Sequence, residues 1–116
     1  MLLTMGAQSD RPLFEQVAAS VRAAIAAGRV RPGDRLPPAR EIAAGLGVNL
    51  HTVLHAFQEL RDEGLIEVRR GRGAIVTAAA ASLADLHADV EALVARARRL
   101  GITPDTLAAL IKETSA

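Results

Sequence analysis

The sequence predicts a mainly α-helical chain with one small β-hairpin. Apolar residues recur at spacings of three and four over most of its length, while alternation with a period of two is confined to residues 65–77. Glycine and proline separate these segments. Half of the 116 residues are hydrophobic, but only 2% are aromatic. Such an interior suits closely packed helices better than a thick β-sandwich or barrel.

The first predicted helix carries an apolar stripe at helical spacing. The stripe comprises Phe14, Val17, Val21 and Ile25. Gly28 ends this helix. Residues 30–38 follow, punctuated by Pro-Gly and Pro-Pro, and we interpret them as a structured turn and connector.

Two further helices are predicted around a glycine-containing turn. Pro38 suits the first turn of the shorter one, because its missing N–H is not needed there. Gly47 follows the end of that helix, and Asn49 is a good N-cap for the longer one, which Gly64 stops. The buried stripe of the longer helix comprises Val53, Phe57 and Leu60. A short helix, a tight turn and a longer helix form the helix-turn-helix arrangement.

A β-hairpin is predicted directly behind these helices. Residues 65–69 and 74–77 alternate apolar and polar side chains around the turn Arg70-Gly71-Arg72-Gly73. A hairpin in this place is a wing. The sequence therefore predicts a winged helix-turn-helix, a DNA-binding domain over residues 1–77, followed by a helical dimerisation tail over residues 78–116.

The tail contains a heptad seam. Its members follow spacings of 3-4-3-4-3: Leu83, Leu86, Val90, Leu93, Ala97 and Leu100. After Gly101, Thr103 can cap a final helix and Pro104 can occupy its first position. The seam could pack on the first helix of its own chain, but one short last helix would cover it poorly. We therefore interpret the two C-terminal helices as dimerisation helices.

A long run of residues, spanning about 11–77, is recognisable as a family pattern. It comprises Pro12–Val17, Gly28–Pro37, Arg40–Ala43, Leu46–Val48, Thr52–Val53, Glu59–Leu60, Glu63–Ile66 and Arg69–Gly73. On these residues the chain resembles the GntR family of transcription regulators. Residues 78–116 have room for two helices but not for a domain with its own ligand cavity, which resembles the short-tailed YtrA-type subfamily. The segment Val48–Leu54 is also similar to that group's Val-Asn-Pro-Asn-Thr-Val pattern.

The longer helix is expected to read the major groove through polar side chains near its N-terminus. The candidates at that end are Asn49, His51 and Thr52, and Gln58 is a further candidate along the same helix. Capping by Asn49 is compatible with DNA contact, and the alternative for His51 is an ordinary surface position. The resemblance implies arginines where this chain has Leu50 and Leu54, so arginine–guanine contacts are not expected at these two positions.

Basic and glycine residues elsewhere complete the predicted DNA-binding set. They are Arg35, Arg40, Arg70, Gly71 and Arg72. Arg40 begins the helix that crosses the DNA backbone in this architecture; its alternative is a salt bridge with Glu41 or Asp34. Arg35 could instead brace its turn with Asp34. At the wing tip, guanidinium groups beside flexible glycine suit phosphates and a narrow minor groove, the alternative being a merely solvated turn.

Other functional classes find little support. Without cysteine, disulfides and thiolate metal sites are excluded. The histidines, His51, His55 and His87, form no recognisable catalytic or metal motif, so we expect no enzyme, cofactor or metal. No apolar run reaches the roughly 18 residues that span a bilayer, and Met1–Met5 is interpreted as a frayed N-terminus and not a signal peptide, which predicts a cytoplasmic protein.

The sequence thus predicts a homodimeric, sequence-specific transcription regulator, more a repressor than an activator, on a palindromic operator. The resemblance suggests that the regulator controls neighbouring genes, often genes for transport across the membrane. Any small-molecule effector is expected to bind at the dimer interface or between the DNA-binding domain and the tail. One alternative is a winged-helix protein-interaction module with weakened DNA binding, which the leucines in the reading helix favour and the arginine-glycine wing opposes. Another is a fragment of an enzyme; the capped final helix near Ala116 favours a finished chain instead.

Overall fold

The structure, a computed structural model, describes residues 11–115. The elements follow in the order α1 (Leu13–Ala26), α2 (Ala39–Leu46), α3 (Leu50–Asp62), β1 (Ile66–Arg69), β2 (Gly73–Val76), α4 (Ala80–Arg99) and α5 (Pro104–Thr114). The strands pair antiparallel, with Ile66 opposite Val76 and Arg69 opposite Gly73. The predicted mainly α fold with one small hairpin, a winged helix-turn-helix followed by two helices, is confirmed. The prediction for Met1–Met5 lies outside the described residues.

Local chemistry explains where the helices of the helix-turn-helix begin and end. Gly47 closes α2 with a φ of 69°, a left-handed conformation that glycine adopts without a Cβ penalty. Asn49 then caps α3, because its side chain accepts a hydrogen bond from the His51 N–H at 2.8 Å. The expectation for Pro38 differs by one position. It lies just before the first helical residue of α2, with an extended ψ of 145°.

The described chain divides into two compact units, one ending at Asp85 and the other beginning at Leu86. We call them the winged unit and the tail unit. In the winged unit, the apolar faces of the three helices and the hairpin meet in one core. Its largest fully buried side chains are Val17, Val21, Ile25, Val53, Leu60, Ile66 and Val76. The division between these units falls within α4; the domain boundary predicted after Thr77 stays a prediction.

The connector between α1 and α2 contains more regular structure than the sequence predicts. The Leu36 N–H donates to the Ala74 carbonyl at 2.8 Å, and the Val76 N–H donates to the Asp34 carbonyl at 2.9 Å. Arg35 and Ile75 form an antiparallel bridge. This segment therefore extends the hairpin on the β2 side, and the buried Leu36 ties it to the core.

The tail unit consists of most of α4 together with α5. The α5 start matches the prediction, with Thr103 accepting a hydrogen bond from the Thr106 N–H and Pro104 in the first turn. Among its described residues, only Ala97 and Leu107 are buried apolar side chains. Within residues 11–115, no helix has the combined length and apolar character needed to cross a membrane.

Candidate nucleic-acid interface

The N-terminus of α3 presents the predicted reading residues. Asn49 is exposed and uses its Oδ1 as the helix cap, which leaves its amide NH₂ available to a partner. His51 is exposed, and Thr52 is half-buried with its N–H donating to the Asn49 carbonyl at 3.0 Å. In helix-turn-helix proteins, this end of the second helix meets base edges. The trio predicted to read bases therefore lies together at the N-terminal end of α3.

Two side chains further along α3 have partners within the chain. Gln58 is exposed, and its Nε2 donates a hydrogen bond to the Asp62 Oδ1 at 2.9 Å. The His55 ring stacks on Phe14 of α1, with centroids 3.7 Å apart and planes inclined by 9°. His55 is thereby committed to the contact between α1 and α3. The sequence offered no local signal for this pair.

Arg40 and Arg35 precede the reading helix along the chain, and both are exposed. Within residues 11–115, neither forms an ion pair, so the predicted alternatives for them, salt bridges with Glu41 or Asp34, do not form. Asp34 does brace its turn, but through its Oδ2, which accepts a hydrogen bond from the Arg31 N–H at 2.9 Å. The two guanidinium groups are thus available to an external anion.

The wing tip divides its arginines into two kinds. Arg69 pairs with Glu67 on the same strand, its Nη2 lying 2.9 Å from the Oε2. Arg70 and Arg72 are exposed and, in the described part of the chain, make no ion pair. Gly71 lies between them with a φ of 79°, which a residue with a Cβ rarely adopts. The tip therefore offers two unneutralised guanidinium groups on a tight turn.

The far end of α3 is fixed to α1 by an ion pair that no local sequence pattern predicts. The Arg22 guanidinium donates two hydrogen bonds to Glu63, at 2.9 and 2.6 Å, across 41 positions of sequence. The hydrogen bond to Glu63 raises the pKa of Arg22 above its usual value; burial opposes this rise, and the charges of Glu63 and Glu59 add to it. A charged, bidentate pair therefore holds the end of α3 against α1.

An open cavity of about 590 Å³ lies where the end of α3 faces the wing. Its lining comprises Arg61, Gly64, Ile66, Glu67, Val68, Arg69 and Thr77. Arg61 was not among the predicted site residues, because nothing in the sequence brings it next to the hairpin. The Thr77 hydroxyl donates to the Gly64 carbonyl at 2.6 Å and closes the base of the wing.

The predicted seam residues on α4 have different environments. Leu83 is half-buried and packs against the core of the winged unit, while Ala97 is buried. The remaining four are exposed: Leu86, Val90, Leu93 and Leu100. Two seam positions are thus already used inside one chain, and four are left with large apolar side chains in water.

His87 on α4 has a partner on its own helix. The His87 Nε2 lies 2.5 Å from Glu91 Oε1, one helical turn along. No group of three or more histidine, cysteine, aspartate or glutamate side chains suited to a metal ion occurs among residues 11–115.

Comparisons with known proteins agree with this geometry. The sequence profile of the gntR family of bacterial regulatory proteins matches residues 13–76. The chain is 31% identical to the HTH-type transcriptional repressor YtrA of Bacillus subtilis, over 99% of this chain and 93% of that protein. It thus matches YtrA along the tail as well as along the winged helix.

Two solved structures bear on the architecture and on the interface. YtrA from Sulfolobus acidocaldarius, a GntR-family transcription factor, superposes with a TM-score of 0.62 at 32% identity, over 85% of this chain and 99% of that one. The DNA-binding domain of AraR in complex with operator ORX1 superposes with a TM-score of 0.58 at 28% identity, over 65% of this chain and 93% of that one. The chain therefore belongs to the gntR family of bacterial regulatory proteins, and it is a DNA-binding transcription regulator of the short-tailed YtrA type.

Proposed function

We propose that this regulator binds a palindromic operator as a homodimer and represses transcription from it in the cytoplasm. The observation that carries the DNA side is that, within residues 11–115, none of the four arginines predicted to bind DNA has an acidic partner: Arg35, Arg40, Arg70 and Arg72. A phosphate backbone is the partner that guanidinium groups on a winged helix-turn-helix would meet.

The roles follow from position. Asn49, His51, Thr52 and Gln58 would meet base edges in the major groove, because they lie on the exposed side or at the N-terminus of α3. Arg40 and Arg35 would contact the backbone. Arg70 and Arg72, with Gly71 permitting close approach, would enter the adjacent minor groove or hold its phosphates.

The tail supports the proposal that the protein is a dimer. Its four exposed seam residues follow a heptad spacing, and a second copy of the same helix offers the complementary row. In this proposal, residues 1–77 are the DNA-binding domain and residues 78–116 the dimerisation tail. Two winged units held by one two-fold axis would bind two half-sites related by the same symmetry, which is why the operator would be palindromic.

The Bacillus subtilis relative is named as a transcriptional repressor. Occupancy of an operator that overlaps a promoter is enough to repress transcription. Two tail helices are too few to enclose a ligand cavity of their own, so an effector would bind at the dimer interface. Such a ligand would act by changing the spacing of the two winged units.

Selection of bound sequences from a random DNA pool, using the purified protein, tests the proposal. A palindromic consensus is the expected result, and no enrichment at any salt concentration would overturn it in favour of a protein-interaction module. On the selected DNA, Arg70→Ala with Arg72→Ala should reduce the slope of log affinity against log salt by about one unit for each phosphate that is no longer neutralised.

A matched control is provided by Arg98→Ala with Arg99→Ala. These two exposed arginines lie in the last turn of α4, where they face the negative end of the helix dipole. This control pair removes the same charge from the chain but should leave the salt slope unchanged. Equal slopes for both pairs of variants would exclude the wing from the interface.

A further inference from the structure

The solvent-facing side of α3 contains an apolar side chain among polar ones. Leu54 is 45% exposed, whereas Leu60 of the same helix is fully buried in the core. Helical spacing places His51 one turn before Leu54 and Gln58 one turn after it, and both are exposed. Leu54 thus lies between these two residues along the helix, on the surface that the proposed function assigns to base reading.

The neighbours of Leu54 define which part of that surface it occupies. His55, the next residue and about 100° further around the helix, is occupied by its stack on Phe14. Leu54 lies on the other flank, in line with the half-buried Leu50 one turn earlier. The two leucines form a short apolar strip beside His51, on the flank of α3 away from the Phe14–His55 stack.

An apolar side chain in the major groove has one complementary group among the base edges. Guanine, cytosine and adenine present hydrogen-bond donors and acceptors, whereas thymine also presents its C5-methyl group. Placed against a donor or acceptor, Leu54 would strip water from a polar atom without replacing its hydrogen bond. Placed against a methyl group, it removes apolar surface from water on both sides.

We propose that Leu54 is a specificity-determining residue that contacts the C5-methyl group of one thymine in each half-site of the operator. This inference rests on the proposed function and deepens it. The reading helix then selects its sequence through a methyl contact flanked by the polar contacts of His51 and Gln58, and not through an arginine–guanine pair.

Deoxyuridine tests the inference, because it lacks only the C5-methyl group of thymine and keeps the same hydrogen-bonding edge. Each thymine of the selected operator is replaced in turn by deoxyuridine, symmetrically in both half-sites, and affinity is measured at fixed salt. For the unaltered protein, one position should weaken binding by about fourfold for each half-site, the effect of one buried methyl group.

Variants identify the side chain that makes the contact. Leu54→Ala should bind the thymine and deoxyuridine operators with equal affinity, and Leu54→Met should keep the difference. Alanine and methionine are both strong helix formers, so α3 should stay folded in each variant. Leu13→Ala is the matched control: Leu13 is 48% exposed on α1, and this variant should retain the full deoxyuridine penalty.

The outcomes separate the two proposals. Selective DNA binding with no methyl-sensitive thymine, or an equal penalty in the protein and in Leu54→Ala, would overturn the role of Leu54 and leave the regulator intact. Failure to enrich any DNA sequence would overturn the proposed function, and with it this inference. Leu54→Ala should also leave the salt slope unchanged, because Leu54 contacts no phosphate.

Discussion

The winged unit and the tail unit treat their apolar side chains in opposite ways. The winged unit buries most of its large apolar residues in a single core, in which Leu60, Val53 and Val17 are all fully excluded from solvent, and leaves Leu13, Leu54 and Val68 exposed. The tail unit leaves Leu86, Val90, Leu93 and Leu100 between 43% and 66% exposed. One chain therefore contains a region that completes its own core and a region that does not.

This difference follows from geometry. Three helices and a hairpin can enclose a core on several sides, whereas two helices can only cover one face of each other. A long amphipathic helix left in that state is stabilised by a further apolar face, and in our proposal that face is the same helix of a second copy. DNA recognition would then depend on a self-sufficient unit, and assembly on an incomplete one.

The largest expected effect comes from making the seam polar. Leu86→Asp combined with Leu93→Asp should convert the dimer to a monomer, because each charge would be buried without a partner in the interface. A monomer binds only one half-site, which should lower operator affinity by about a thousandfold. Sedimentation and DNA titration measure the two effects.

Leu13→Asp is the control for this charge change. Leu13 is comparably exposed and begins α1, where a negative side chain is favourable. This variant should remain a dimer with unaltered affinity. A seam variant that remains dimeric would contradict the assignment of the tail.

The next largest effect is on the free energy of unfolding, which should respond differently to substitutions in the two units. Leu60→Ala leaves a cavity in the winged core and should lower the free energy of unfolding by about 3 kcal/mol. Leu93→Ala should change the stability of the winged unit by less than about 0.5 kcal/mol, since Leu93 lies outside the winged core. Urea denaturation monitored in the winged unit measures both, and equal losses would show that the two regions are not distinct in packing.

Helix caps offer a smaller, matched comparison. Asn49→Ala and Thr103→Ala each remove a side chain that accepts a backbone N–H hydrogen bond at a helix start, worth about 1 kcal/mol. The first should lower the stability of the whole winged unit, and the second should mainly increase hydrogen exchange in α5. An α5 whose exchange is unaffected by Thr103→Ala would argue against the cap.

The smallest expected effect concerns the clamp between α1 and α3. A double-mutant cycle with Arg22→Gln and Glu63→Gln should give a coupling of about 0.5–1 kcal/mol, because both side chains are about one-third exposed and solvent screens the pair. The more exposed Arg69–Glu67 pair should couple more weakly. The reverse order would show that the bidentate geometry adds no stability.

Sequence reasoning succeeded where the signal is local. Asn49, Thr103 and the glycine-containing wing turn act on their immediate neighbours, so their chemistry can be predicted without the fold. It failed where partners are distant, as for Arg22 with Glu63 and Phe14 with His55.

The seam shows a second limit. Heptad spacing groups Leu83 and Ala97 with the other four positions, but it does not distinguish an apolar residue that its own chain covers from one that remains exposed. That distinction depends on which elements pack beside the helix. The same holds for Arg69 and Arg70, adjacent in sequence, of which only the first is neutralised, by Glu67.

The most direct test of the central claim, that the tail unit pairs two self-sufficient winged units on one operator, is the mass of the protein bound to its selected DNA. Analytical ultracentrifugation of the complex, with the mass of the duplex subtracted, counts the chains. The account predicts two chains per operator, twice the 12.2 kDa of one chain, with the free protein also dimeric at the same concentration. One chain on a saturated operator of full affinity would contradict it.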